Sequence, residues 1–304
     1  MKRLMVACAL TLAVGFGAAC DDDEDNPTMP LVENLQLTLN GFEPLMNGFH
    51  YEGWAIIGGT PVSTGKFNVD ESGGLVTTSG ASIAGNTFST GIDLTGATDI
   101  VLTIEPAGDT DNLPADTHIA AGTVSNQFAT LSVGHPAALG SDFAAVAGEY
   151  ILATPTDGTD DDENSGIWFL SLASGSPAAG LTLPTLPAGW KYEGWAVTGG
   201  TPVTSGTFTA VDMADDSAPF SGTMAGPPFP GEDYLVNAPA GLVFPTDLAG
   251  GTAVISIEPD PDDSSAPFTL KPLVGAIPAG AVDHVTYSME DNLGSLPTGA
   301  ASIR

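Results

Sequence analysis

The chain has 304 residues, of which 37 are acidic and 6 are basic, for a formal net charge of −31. That balance excludes partnership with nucleic acid or an anionic membrane surface, because both need a cationic face to displace counterions. With 38 glycines and 24 prolines a long helical bundle is excluded too, whereas 42% hydrophobic residues supply apolar area for a core and the length suggests two domains.

At the N-terminus Lys2 and Arg3 precede an apolar run over 4–19, short for a membrane span and right for a signal peptide. The run closes on Gly17-Ala18-Ala19-Cys20. Small residues ahead of a cysteine resemble a bacterial lipobox, in which the cysteine is diacylated and heads the mature chain. Gly17 departs from the pattern, which favours Leu there, and ordinary cleavage after Ala19 is the competing reading. On the lipobox reading, 1–19 is the signal peptide and Cys20 is the lipid attachment site, through which the protein meets the membrane. Cys8 leaves with the signal, so the remaining thiol makes no internal disulfide, thiolate metal site or cysteine nucleophile.

The run Asp21-Asp22-Asp23-Glu24-Asp25 is self-repelling, which makes 20–30 an extended tether. Ten residues at about 3.3 Å each reach roughly 30 Å. Acidic residues directly after the cysteine resemble the surface-export signals of some diderm bacteria, although Asp beside a lipid cysteine marks inner-membrane retention in other lineages. The expected location is the outer membrane or cell surface.

From residue 51 the chain repeats itself. The stretch 51–65 recurs as 192–206 with 11 of 15 positions identical, and the similarity continues through Phe67 and Phe208 and through Ile104-Glu105-Pro106 and Ile257-Glu258-Pro259. Pro114 and Gly122 then match Pro267 and Gly275 at one constant offset. Such a spacing is too long for a solenoid and fits a tandem duplication.

Each copy reads as β-structure. Segments 35–39, 100–104, 127–133 and 253–257 are short, β-branched and partly alternating, separated by Gly, Pro, Asn and Asp clusters. Residues 149–154 and 166–172 form the arms of an expected hairpin whose tip is acidic. Tyr51 and Trp54 are three apart and would face opposite ways in a regular strand, so Gly53 is expected to mark a bulge that turns both toward the core.

Tyr51, Trp54, Pro61, Gly65, Phe67, Glu105 and Pro106, and again Tyr192, Trp195, Pro202, Gly206, Phe208, Glu258 and Pro259, resemble the C-terminal extracytoplasmic domain of anti-sigma-K factors. The resemblance implies an all-β fold of two tandem immunoglobulin-like β-sandwich domains, at 31–173 and 181–304, joined by a Gly/Ser/Pro-rich linker at 174–180 that lets them move independently. That family acts through a cytoplasmic domain and a membrane helix, which are not expected here, so direct sigma-factor binding is not expected either. The loops after Glu105-Pro106 and Glu258-Pro259 also lack the family's paired glycines, which puts any recognition carried by that loop in doubt.

Catalytic patterns are sparse. His50, His118, His135 and His284 are scattered without zinc spacing. Gly80-Ala81-Ser82-Ile83-Ala84 departs from a hydrolase elbow and has no helix after it. Lys66, Lys191, Lys271 and Arg304 are the only basic residues beyond the signal, and no phosphate loop occurs. Glu105 and Glu258 recur before a proline in both copies, as binding carboxylates or as acceptors that fix the following loop. The acidic loop with Asp157, Asp160, Asp161, Asp162 and Glu163 offers oxygen ligands to calcium, but without the spacing of a known calcium loop. Trp54, Trp168, Trp190 and Trp195 are core residues or a sugar platform, with Trp190 expected to be the most exposed. The chain thus reads as a non-enzymatic envelope lipoprotein without cofactors that displays its domains for interaction or sensing outside the cytoplasm, with an envelope protein or polysaccharide as partner; a polysaccharide- or calcium-binding surface module is the alternative.

Overall fold

Short β-branched and aromatic runs between turn-forming residues leave the backbone little choice but to pair laterally. In the computed structural model, which describes residues 32–304, every regular element other than three single-turn 3-10 segments is a strand. The signal peptide, Cys20 and tether expected over 1–30 lie outside the described residues.

The first copy supplies β1 (Asn34–Asn40), β2 (His50–Ile57), β3 (Thr60–Val69), β4 (Leu75–Val76), β5 (Thr87–Ser89), β6 (Ala97–Glu105), β7 (His118–Thr123) and β8 (Phe128–Ser132). Next come β9 (Ala147–Leu152), β10 (Gly166–Trp168), β11 (Leu170–Ser171), β12 (Ala178–Ala179) and β13 (Leu181–Thr182). The second copy supplies β14 (Trp190–Thr198), β15 (Thr201–Phe208), β16 (Gly231–Asp233), β17 (Thr252–Pro259), β18 (Leu273–Ala276), β19 (Tyr287–Asp291) and β20 (Thr298–Ile303). The strands form two large antiparallel sheets, each curled toward a half-barrel or near-barrel.

The repeated block folds into the same hairpin twice. β2 pairs with β3 and β14 with β15, and the tips Gly58-Gly59 and Gly199-Gly200 take φ values of 59° and 80° and of 57° and 82°. Two successive positive φ angles are what a two-residue hairpin turn requires, and glycine adopts them without strain. Behind each turn a tyrosine stacks on a phenylalanine: Tyr51 on Phe67 with ring centres 5.5 Å apart, and Tyr192 on Phe208 at 5.6 Å. Each tyrosine hydroxyl donates to a backbone carbonyl eight residues upstream, Glu43 at 2.9 Å and Pro184 at 2.7 Å.

A bulge does occur at this hairpin, but in the partner strand. Gly53 pairs with Gly65 and Trp54 with Ser63, so the extra residue is Thr64, while β2 runs in regular register against β6 through these positions. Tyr51 and Trp54 therefore keep opposite faces. Tyr51 joins the main core, and Trp54 is buried on the other face with Val101, Ala121 and Ala138.

The two copies exchange their last strands. β20, at the end of the second copy, lies in the first sheet between β8 and β1, where Gly299 pairs with Leu131 and Leu39. Reciprocally β9, at the end of the first copy, lies in the second sheet between β19 and β13, where Gly148 pairs with Met289 and Leu181. Both inserted strands pass through a place too tight for a side chain. A Cβ on Gly148 would stand 2.9 Å from Met289 Sδ, and one on Gly299 would stand 2.8 Å from Leu39 Cδ2.

The segment 174–180 accordingly does not separate the sheets. β9 and β10 precede it yet belong to the second sheet, β20 follows it yet belongs to the first, and its own Ala178 and Ala179 pair with β11. The expected hairpin forms across the acidic tip, with Ile167 opposite Leu152 and Trp168 opposite Ile151. The described residues 32–304 form one compact unit. One buried cluster takes in Leu35 and Ile104 from the first copy, Ile257 and Leu273 from the second, and Tyr150 and Ala301 from the exchanged strands.

Candidate carboxylate site

Alternation along β2 and β6 places Tyr51, Ala55, Leu102 and Ile104 in the main core. The intervening Glu52, Trp54, Val101, Thr103 and Glu105 therefore lie on the opposite face. Glu52 pairs with Thr103 across the ladder, two residues before Glu105 and the loop that follows Glu105-Pro106. β14 and β17 repeat the arrangement, with Glu193 opposite Ser256 and Glu258 two residues on.

A chain of hydrogen bonds orients each glutamate. In the first copy Trp54 Nε1 donates to Thr103 Oγ1 at 2.9 Å, Thr103 donates to Glu105 Oε1, and that oxygen also accepts from the backbone N–H of Ala115 at 3.1 Å. In the second, Trp195 Nε1 donates to Ser256 Oγ at 2.8 Å, Ser256 donates to Glu258 Oε1, and the N–H of Phe268 reaches the same oxygen at 2.9 Å. Each Glu thus fixes the loop ten residues ahead through one oxygen. Glu52 and Glu193 likewise accept from Ser63 and Thr204 on the adjacent strand.

The loop contributes a third carboxylate. Ligand atoms of His50, Glu52 and Asp109 lie within 4.8 Å of one another, as do those of Glu193, Glu258 and Asp262. Asp109 and Asp262 stand four residues after Glu105 and Glu258, and Glu52 and Glu193 are the second residues of the repeated block, so the signal for both clusters was in the sequence. Only the pairing of β2 with β6 and β14 with β17 reveals that these residues meet.

Electrostatics separates the copies. In the first, Lys66 Nζ lies 2.9 Å from Asp109 Oδ2 and 3.4 Å from Glu52 Oε2. Burial tends to lower the Lys66 ammonium, but its hydrogen bond to Asp109 and the charges of Glu52 and Asp109 hold it above its ordinary value, and Asp109 is lowered in turn by that bond. In the second, Thr207 replaces Lys66. Lys191 pairs instead with Asp216 at 3.1 Å and Asp260 at 3.5 Å, and Lys271 donates to the carbonyl of Phe268 at 2.6 Å. With burial as the main cause, Glu193 is pushed up to about 7 and Glu258 to about 8, while Lys271 feels the charge of Glu258 without forming an ion pair with it.

The other candidates are placed differently. Asp160, Asp162 and Glu163 line an open cleft of about 350 Å³ together with Asp247 and Asp283. Asp157 instead accepts from Thr159 and Glu163 from the N–H of Thr154, and no close ligand triad includes the acidic loop, Asp161 among it, within the described residues. All four tryptophans are buried. Trp190, expected to be exposed, is only 3% accessible because it packs against Phe268 with ring centres 6.4 Å apart. His118 and His135 contact the Ala137 carbonyl and Thr123, and His284 contacts Asp283, which keeps them apart from either triad.

Glu232 and Asp233 form a further buried acidic pair, fully engaged with Ser221, the N–H of Phe220, Thr156 and Trp168 Nε1. Comparison with protein-family models, with curated proteins and with solved structures finds no match to this chain.

Proposed function

We propose that the chain is a non-enzymatic cell-envelope lipoprotein, anchored through Cys20 at the outer membrane or cell surface, that presents its duplicated β-structure as one body to an envelope protein outside the cytoplasm. On this reading each copy is an immunoglobulin-like sandwich of the anti-sigma-K C-terminal type. The observation that carries the proposal is the reciprocal exchange of β9 and β20. It locks the two copies in one arrangement, so surfaces borne on both are held at a constant distance, as a display module requires.

The carboxylates support a binding role over a hydrolytic one. Acid and base groups of a glycosidase flank an open cleft that admits sugar and water. Glu258, at 1% accessibility, and Glu105 are instead committed to fixing the loops above them. A stacking platform for polysaccharide would need exposed aromatic faces, and the four indoles are occupied in packing.

The test combines palmitate labelling with cross-linking in intact cells. The full chain is expected to take up label, to lose it on Cys20→Ala, and to cross-link reproducibly to one envelope protein only when anchored. Retention of label by Cys20→Ala, or polysaccharide hydrolysis abolished by Glu258→Gln, would overturn the proposal.

A further inference from the structure

The duplication supplies an internal comparison: Glu52 and Asp109 cluster with His50 in the first copy, and their counterparts Glu193 and Asp262 cluster with Glu258 in the second. In the first copy the ammonium of Lys66 reaches both Glu52 and Asp109. At the equivalent position of the second copy the hydroxyl of Thr207 donates to Asp216 at 3.0 Å, away from Glu193, Glu258 and Asp262. Neither nearby lysine forms an ion pair with that triad: Lys191 is held by Asp216 and Asp260, and Lys271 by the carbonyl of Phe268.

A second observation concerns Glu258 itself. Its Oε1 serves Ser256 and Phe268, while its Oε2 is buried without any partner, in the cluster whose ligand atoms lie within 4.8 Å of one another. An unpaired acceptor in a residue 1% accessible is costly unless something fills the gap. Asp262, on the exposed rim, gives solvent and ions a way in.

We propose that Glu193, Glu258 and Asp262 form a binding site for a hard divalent cation, with calcium as the ion suited to the all-oxygen donors, and that Lys66 is the built-in substitute for that ion in the first copy. Three carboxylates provide part of the roughly six to eight oxygens that calcium takes, and water entering past Asp262 completes the shell. A site with few protein ligands and an open rim belongs to the weak extracellular class, with a dissociation constant of about 0.1–1 mM.

The experiment titrates calcium chloride into the full chain at constant ionic strength, reading heat and melting temperature, with magnesium chloride run alongside. One equivalent is expected to bind, to raise the melting temperature, and to bind calcium more tightly than magnesium. Asp262→Asn, an exposed change that should leave the fold intact, is expected to weaken binding at least tenfold, and Thr207→Lys to abolish it by bringing in the ammonium of the first copy. Lys66→Thr is expected to create a second equivalent, and the Asp160→Asn/Asp162→Asn double variant to bind as the parent does. No saturable binding up to about 10 mM, unchanged affinity in Thr207→Lys, or loss of the equivalent in the acidic-loop variant would each overturn the site. Failure of Lys66→Thr to gain an ion would overturn the role given to Lys66.

Discussion

In the first copy Glu52 and Asp109 share the ammonium of Lys66, whereas in the second, among the described residues, no lysine forms an ion pair with Glu193, Glu258 or Asp262. The interiors of the two copies nevertheless match closely: the same Tyr–Phe stack, the same hydrogen bond from tyrosine to an upstream carbonyl, and the same relay from tryptophan through a hydroxyl to glutamate. The contrast separates two constraints. Packing of the inner face admits few changes because every atom has neighbours, while on the outer face the exchanges of Lys66 for Thr207 and of His50 for Lys191 change the charge beside the cluster.

The strongest test of the shared framework acts where the copies are clasped. Gly299→Val and Gly148→Val each push a side chain into a strand pairing with no room for it, and overpacking of this kind costs about 1–3 kcal/mol, more where backbone must shift. Because β20 completes the first sheet and β9 the second, either change is expected to lower one cooperative melting transition for the whole of 32–304. Two separate transitions in a calorimetric scan, each moved by one variant only, would show that the copies are independent.

Next in size is the charge difference itself. In calcium-free buffer Lys66→Thr leaves Glu52, 2% accessible, facing Asp109 without the ammonium that pairs with both, at an expected cost of about 1–2 kcal/mol, discounted for the partial exposure of Lys66. Thr207→Lys should act in the opposite direction and raise the melting temperature by about 2 °C. Equal and same-signed effects of the two exchanges would remove the distinction between the copies.

How much of this was readable beforehand follows from which interactions are local. Alternation and turn residues marked β1, β6, β8 and β17, and the acidic hairpin pairs where its two arms suggested. Gly53 did signal a bulge, but the extra residue belongs to Thr64 on the neighbouring strand, since a register shift is a property of a pair and sequence shows one strand at a time. The exchange of β9 and β20 was not legible for a related reason. Both end their copies with glycine followed at alternate positions by inward residues, Tyr150 and Leu152 or Ala301 and Ile303, and either could pair with either sheet. Glu105 and Glu258 stood out as repeated, and their loop-fixing bonds are those one reading anticipated. Their strand neighbours Glu52 and Glu193 were hidden because they lie 53 and 65 residues away along the chain and are brought alongside only across a ladder.

The acidity of the second copy also has a pH signature. Burial foremost pushes Glu193, Asp215 and Glu232 up to about 7 and Glu258 to about 8, all in that copy, and Glu43 to about 7 where the first copy meets the loop carrying Asp263 and Lys271. A carboxyl whose folded value is raised holds its proton more tightly when folded. Its contribution is complete below the ordinary value near 4 and is lost as pH climbs through 7 to 8. Calcium-free protein is therefore expected to melt lower at pH 8 than at pH 5, by roughly 5 °C. Melting curves that rise over this interval would contradict the sign. Saturating calcium should flatten the fall in the parent but not in Thr207→Lys, which ties the effect to the triad rather than to the net charge.

The smallest effect is the most direct check that the framework is shared. Trp54→Phe and Trp195→Phe keep an aromatic ring on the outer face and remove the N–H that orients Thr103 and Ser256. Each loses one buried neutral hydrogen bond and some ring volume, worth about 1 kcal/mol. If the relay only fixes a loop, the two losses should agree within a few tenths of a kcal/mol, whatever the charge beside them. If the relay also holds Glu258 in place for a cation, Trp195→Phe should in addition weaken calcium binding, while Trp54→Phe leaves it unchanged. A calcium affinity moved equally by both variants would mean that the ion is not read through Glu258, because Trp54 touches only the copy that Lys66 already neutralises.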